Sequence, residues 1–234
     1  MKNRYIRIFM VFCTAFILIL GNGCFLKSHK TLMLEYLEDK YGEEFEPLSY
    51  AGESWAYSYD KLSAHPKGKE DQIFNIQGCK NKEGKYVCHD NYFYYIIRDE
   101  YEQAMSDIVG KYFTEFKLYM LRGDEMYDDR LNYGVKVEDI YDISSRFASQ
   151  ILIFVKQNTD TNNIEMVAKK NASEMIDKKL PGKIRCYSIY DNKFDLVNRN
   201  EINNMLNNIK EWSDDKYEIR VTGALKILEY KKYD

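Results

Sequence analysis

Few residues in this sequence have the type and spacing to do chemistry. Cys79, Cys88, His65 and His89 are the right kinds to fill a tetrahedral zinc shell. Their spacing follows no short zinc signature. His89 would also point away from Cys88 if the two are neighbours on a strand, so no metal ligand or other cofactor is assigned. Nucleophilic catalysis is no better supported. Cys186 lies in the alternating stretch KIRCYSIY, and no His follows position 89 to act as its partner. It reads as a small buried apolar side chain, with no further role assigned. The G-x-S-x-G elbow and the Gly-rich phosphate loop are missing. Asp124, Glu125, Asp128 and Asp129 cluster without the alternate spacing and central Gly of a calcium loop, which fits a solvated connection. Arg122-Gly123-Asp124 spells an adhesion tripeptide, a string short enough to arise by chance. No catalytic residue is assigned.

Cys79 and Cys88 do have a structural reading. NIQGCKNKEGKYVC looks like two strands around a tight turn, with Gly84 taking the positive φ. A loop centred on Glu83 and Gly84 pairs 82 with 85 and places Cys79 opposite Cys88, within reach of a disulfide. Oxidation of that pair is expected only outside the cytoplasm.

The elements around these residues suggest an α+β fold. Met33, Leu34, Leu37 and Tyr41 form a helical stripe over residues 30–41, and Gly42 follows as a C-cap. Residues 44–59 read as extended, with Trp55, Tyr57 and Tyr59 on one face. Such a stripe either binds sugars and peptides or packs under a helix, and the second is expected. Residues 62–70, with His65-Pro66-Lys67-Gly68, read as a loop. Residues 71–78 and 85–95 complete a three-stranded antiparallel meander, and 96–121 a long helix. Residues 122–132 are polar and mark a boundary. Beyond it a short strand at 135–137 and a helix at 138–149 are expected. The apolar run 151–156 suits a strand covered on both faces. A helix capped by Asn162 and Glu165, a strand at 183–190, a helix at 200–212 and a closing hairpin complete an α/β-like unit.

The first residues carry the strongest signal. Lys2, Arg4 and Arg7 precede an apolar run at 8–20 that ends in Gly21 and Gly23, the anatomy of a secretory signal. The run is too short for a spanning helix of roughly 20 residues. Loss of residues 1–23 leaves 31 cations against 37 anions, a formal charge of −6. Nucleic-acid binding, which needs a basic face, is therefore not expected.

Cys24, directly after Gly23, resembles the lipobox cysteine of bacterial lipoproteins, with Gly21 where that pattern prefers Leu. The resemblance implies lipidation at Cys24 and a partner in the membrane. Gly21 and Gly23 also suit an ordinary signal peptidase, so secretion without lipid stays open. The expected organisation is a signal over 1–23, a lipidated tether over 24–30, an αβββα unit over 31–122 and the α/β-like unit over 133–234. EYLEDKYGEEFEPLSY, AHPKGKEDQIFNIQGC and DNYFYYIIRDEYEQAM, within residues 34–105, resemble a pattern of small lipoproteins and membrane-anchored proteins of Gram-positive bacteria. That family implies an extracytoplasmic module similar to PepSY or cystatin-like domains and brings no activity with it. The expectation is an envelope binding or protein-interaction module that takes a peptide or protein partner through a sheet edge or the aromatic face. The alternatives are an envelope hydrolase whose site only the fold assembles, and a structural component with no ligand.

Overall fold

The computed structural model describes residues 27–147, 149–157 and 164–230. The signal, Cys24 and Asn162 lie outside them. The fold is mixed α+β, built on a four-stranded and a five-stranded sheet.

Helix α1 (His29–Tyr41) begins where the Ser28 hydroxyl accepts the Thr31 N–H at 3.1 Å, and it ends at Gly42 with φ of 69°. His29 thus opens a helix instead of belonging to a tether. The buried face of α1 is Met33, Leu37 and Tyr41. It covers strands β1 (Phe45–Ala51), β2 (Asp60–Pro66), β3 (Phe74–Lys80) and β4 (Tyr86–Asp90), which pair in that order, all antiparallel. Leu62, Ala64, Phe74, Ile76, Cys88 and Tyr92 complete this core.

The first unit departs from expectation in several ways. Its meander has four strands because the stretch read as a loop is β2, where Leu62 and Ala64 point inward and Pro66 only ends the strand. The aromatic stripe does not reach the core. β1 stops at Ala51, and Ser54 and Tyr57 exchange both backbone hydrogen bonds across a tight turn. Trp55 at the tip is 100% exposed and Tyr57 is exposed. The β3–β4 turn is one residue longer than expected. Gly84 N–H donates to the Asn81 carbonyl, Gly84 takes φ of 78°, and Asn81 pairs across to Lys85, giving a three-residue loop. The added residue slides the register, so Cys88 faces Gly78 and Cys79 faces Val87. The two thiols sit on opposite faces and both are free, which corrects the expected Cys79–Cys88 pairing.

Helix α2 (Phe93–Val109) is shorter than the expected 96–121. The chain turns at Gly110, and β5 (Phe116–Leu121) follows. Apolar residues at 112, 116 and 119 suit a helix, but 116, 118 and 120 equally suit a strand, and pairing with β6 (Ser149–Lys156) decides between them. The short strand expected at 135–137 is a 3-10 turn over Val137–Asp139, and the helix after it, α3 (Ile140–Ile143), is a single turn. Then come β6, α4 (Ile164–Asp177), β7 (Gly182–Ile189), α5 (Asp191–Phe194), α6 (Ile202–Asn207), β8 (Ser213–Val221) and β9 (Ile227–Tyr230). β5 to β9 pair in sequence order, and only β6 and β7 run parallel, across the α4 crossover. Ile151 to Val155 are all buried, because α2 and α4 cover one face of the sheet and α5 and α6 the other. α2 belongs to this second core, together with Tyr127 and Leu131 of the polar connection.

Candidate functional site

The densest polar arrangement gathers where β4 gives way to α2. Asp90 is fully buried, a costly place for a carboxylate unless it is paired and hydrogen-bonded. It is both. Its Oδ1 accepts the Tyr41 hydroxyl at 2.7 Å and the Tyr92 N–H at 2.8 Å. Its Oδ2 accepts Lys40 Nζ at 2.8 Å and the Tyr36 hydroxyl at 2.9 Å. Tyr36 and Lys40 reach it together because they lie four residues apart on α1. The Lys40 side chain is 6% exposed, and its ammonium lies 5.0 Å from the centre of the Tyr41 ring. Burial first, then the Asp90 charge, pushes the Tyr36 and Tyr41 phenols far above their usual range, so both stay protonated donors.

From this buried centre a polar chain leads outward. The Tyr36 hydroxyl, which accepts from Lys40 at 3.2 Å, also lies 3.0 Å from Asp129 Oδ1. The same Asp129 oxygen is 3.0 Å from His89 Nδ1. The hydrogen bond to Asp129 raises the His89 pKa. Burial opposes the Asp129 charge, but His89 and Tyr36 outweigh it and hold that carboxylate below its usual range.

Asp129 stands between two clefts. The smaller, about 430 Å³, lies along α1 and β4 beside Glu35, Tyr36, Lys85 and Tyr86. The larger, about 580 Å³, is within the range typical of ligand sites. His89 and Glu125 through Arg130 line it on one side, and Ser144, Arg146 and Phe147 on the other. Tyr127 and Phe147 supply an aromatic floor, their ring centres 5.2 Å apart. Arg130 is held by Asp128 at 2.8 Å and by the Ile143 carbonyl. That bidentate grip pulls the Asp128 carboxyl down to about 2. Among the described residues, Glu125 and Arg146 make no ion pair. Counted over the described residues, the cleft therefore offers one unpaired anion and one unpaired cation beside aromatic rings.

The residues singled out from sequence do not assemble. His65 is buried in β2 with Nδ1 2.9 Å from the Pro66 carbonyl, and His89 faces away from Cys88. Among the described residues, no group of three or more His, Cys, Asp or Glu could hold a metal ion. Burial pushes the Cys88 and Cys186 thiols up to about 12, so both are inert core side chains. Gly123 of the Arg-Gly-Asp string gives its carbonyl to Asn91 at 3.0 Å and is not a free loop tip. Within the acidic cluster, Asp128 and Asp129 have specific partners, so it is more than a solvated connection.

Asp90, Lys40, Tyr36 and Tyr41 fall inside the stretches that carried the resemblance, yet nothing local marks them as partners. Asp90 lies 49 to 54 residues from the other three in the chain. No protein-family model and no curated protein matches the sequence. Among solved structures, a DUF5037 family protein from Ruminococcus gnavus aligns over 85% of this chain and 93% of its own, at 13% identity and a TM-score of 0.42.

Proposed function

We propose that this chain is a lipid-anchored binding module on the extracytoplasmic face of the cell membrane, and that the larger cleft holds an extended segment of an envelope peptide or protein partner. One observation carries the binding reading. Among the described residues Glu125 and Arg146 have no ion-pair partner, and they stand at a cleft floored by Tyr127 and Phe147 whose other charges, Asp128, Asp129 and Arg130, are already paired. Such a cleft suits a segment with both charge signs and an apolar side chain between them. The Asp90 carboxylate is buried with both oxygens already engaged. It fixes the wall that carries His89 and Asp129, and so prearranges the cleft. The outer edge of β1 is a weaker candidate, because Pro47 and a register shift at Leu48 blunt it against strand addition.

The export signal and Cys24 support the location, and no helix among the described residues is long and apolar enough to cross a membrane. We read the helix-and-meander first unit as a module of the PepSY-like or cystatin-like kind, followed by an α/β-like unit. A panel of short peptides of varied charge pattern tests the cleft by thermal shift. Mixed-charge peptides raise the Tm of the native chain and lose that effect in Glu125→Ala/Arg146→Ala. Shifts of equal size in that variant, or none for any peptide, would overturn the reading.

The second reading, an envelope hydrolase, rests on the His89–Asp129 pair, which leaves the other ring nitrogen uncommitted at the cleft. Among the described residues no hydroxyl or thiol hydrogen-bonds to that nitrogen, so binding is favoured. Ester or amide turnover that disappears in His89→Ala would reverse the ranking.

A further inference from the structure

One end of the first sheet collects features that neither the cleft nor the core uses. The carboxylate of Asp60, at the start of β2, is a hub. It is 2.7 Å from His29 Nδ1 and accepts from the hydroxyls of Tyr86 at 2.6 Å and Tyr50 at 3.1 Å, and from the Glu53 N–H at 2.9 Å. The His29 ring stacks on Tyr86 at 4.4 Å. One carboxylate thus ties the first turn of α1 to the base of the hairpin that displays Trp55.

That tip is ordered. Ser54 and Tyr57 exchange backbone hydrogen bonds at 2.9 and 3.2 Å, the Ser54 hydroxyl accepts the Ala56 N–H, and the Tyr57 and Tyr59 rings lie 5.4 Å apart. The braced turn therefore holds the Trp55 indole fully in solvent, with Tyr57 exposed beside it.

The β3–β4 turn lies at the same end, since Asp60 pairs with Gly78 and Lys80 with Tyr86. Lys30, Lys61, Lys80, Lys82 and Lys85 are exposed there. Glu53, Glu83 and the buried Asp60 oppose these five cations, while Glu35 is occupied by Lys27 at 2.7 Å. This end is therefore basic on a chain whose net charge is −3. Cys24 precedes Lys27 by only about 10 Å of extended chain.

We propose that this end, made of the Trp55 tip, the Lys82–Gly84 turn and the start of α1, rests on a membrane surface, with Trp55 and Tyr57 at headgroup depth and the lysines against anionic lipid. The inference rests on the anchoring reading for its geometry. Interfacial Trp and Tyr with juxtamembrane lysines are the combination such a surface selects. The larger cleft then stays open, since it is lined from His89 and the connection to the second unit.

The test uses the full chain purified from membranes and reconstituted into vesicles of phosphatidylcholine, with or without phosphatidylglycerol. Trp212→Phe leaves Trp55 as the only indole of the two in the chain. Trp212 is half-buried under Lys193, and Phe preserves that packing. Trp55 emission is expected to shift to the blue and to be quenched by brominated acyl chains, more strongly with phosphatidylglycerol. Lys80→Ala, Lys82→Ala and Lys85→Ala should each lower the docked-to-free ratio about fivefold. Water-like emission, fully open to iodide in both kinds of vesicle, overturns the proposal. Protection from iodide without quenching by brominated lipid also overturns it, because a protein then covers Trp55. Intact mass separates this from the anchoring reading. If Cys24 carries no acyl group, anchoring fails, and the secreted protein is added to the same vesicles. Blue-shifted Trp55 there upholds the surface, and unshifted emission overturns it.

Discussion

At the scale of single residues, Asp90 and His89 behave in opposite ways. Asp90 is wholly buried, and Lys40 is its counter-ion in a site with almost no solvent. Asp90→Asn leaves that ammonium buried and unmatched, which is expected to destabilise the fold by about 3–5 kcal/mol in chemical denaturation. A loss below about 1 kcal/mol would mean that solvent reaches Lys40. The His89–Asp129 pair is half-exposed and its energy is screened, so its signature is a pH window. The folded His89 pKa lies above its ordinary 6.5, so that contribution is complete below 6.5 and fades as pH rises through the folded value. The folded Asp129 pKa lies below its ordinary 3.8, so its contribution is complete above 3.8 and fades as pH falls. A double-mutant cycle on His89→Ala and Asp129→Ala should therefore show most coupling near about pH 5 and little at about pH 8. Coupling that grows toward alkaline pH would contradict the assignment.

At the scale of elements, the cysteines report the register. Alkylation of the native chain is expected to modify Cys79, which is partly exposed, and to spare Cys88 and Cys186 until the protein is denatured. Intact mass before and after denaturation reads this directly, and a chain lighter by the two hydrogens of a Cys79–Cys88 bridge would restore the other register. What was legible here follows a simple physical division. Helix α1 carries its own cap and stripe, and β6 is an unbroken apolar run, so local sequence suffices for both. The β3–β4 register depends on whether Asn81 pairs with Lys85, a single-residue choice made by turn hydrogen bonds. Residues 116–121 satisfy both helix and strand spacing, and only the partner strand β6 resolves them. Trp55, Tyr57 and Tyr59 alternate like a strand, yet the Ser54–Tyr57 turn breaks the strand and leaves Trp55 and Tyr57 in solvent.

At the scale of the whole molecule, the two sheets are joined through the segment that also builds the site. Asn91 accepts the Asn75 N–H at 2.8 Å on the first sheet and donates to the Gly123 carbonyl at 3.0 Å, and the Tyr127 N–H reaches the Asp90 carbonyl at 2.9 Å. Asn91→Ala strands a part-buried backbone group on each side and should cost about 1–2 kcal/mol, measured by denaturation. It should also broaden or split the single transition expected of wild type. No sequence pattern announces this joint, because the residues between 122 and 132 look like a solvated connection while Tyr127 and Leu131 are core. The candidate site was invisible for the same reason, its groups being brought together only by the packing of α1 over β4.

The cleft beside His89 and Asp129 is proposed to hold a partner in the cell. A photo-crosslinking residue in place of Met126, on the cleft wall, tests it directly, with the same residue at exposed Leu196 as the control. One discrete adduct is expected from position 126, lost when Arg146→Glu is added, and none from 196. No adduct at 126, or an adduct indifferent to Arg146→Glu, would contradict it.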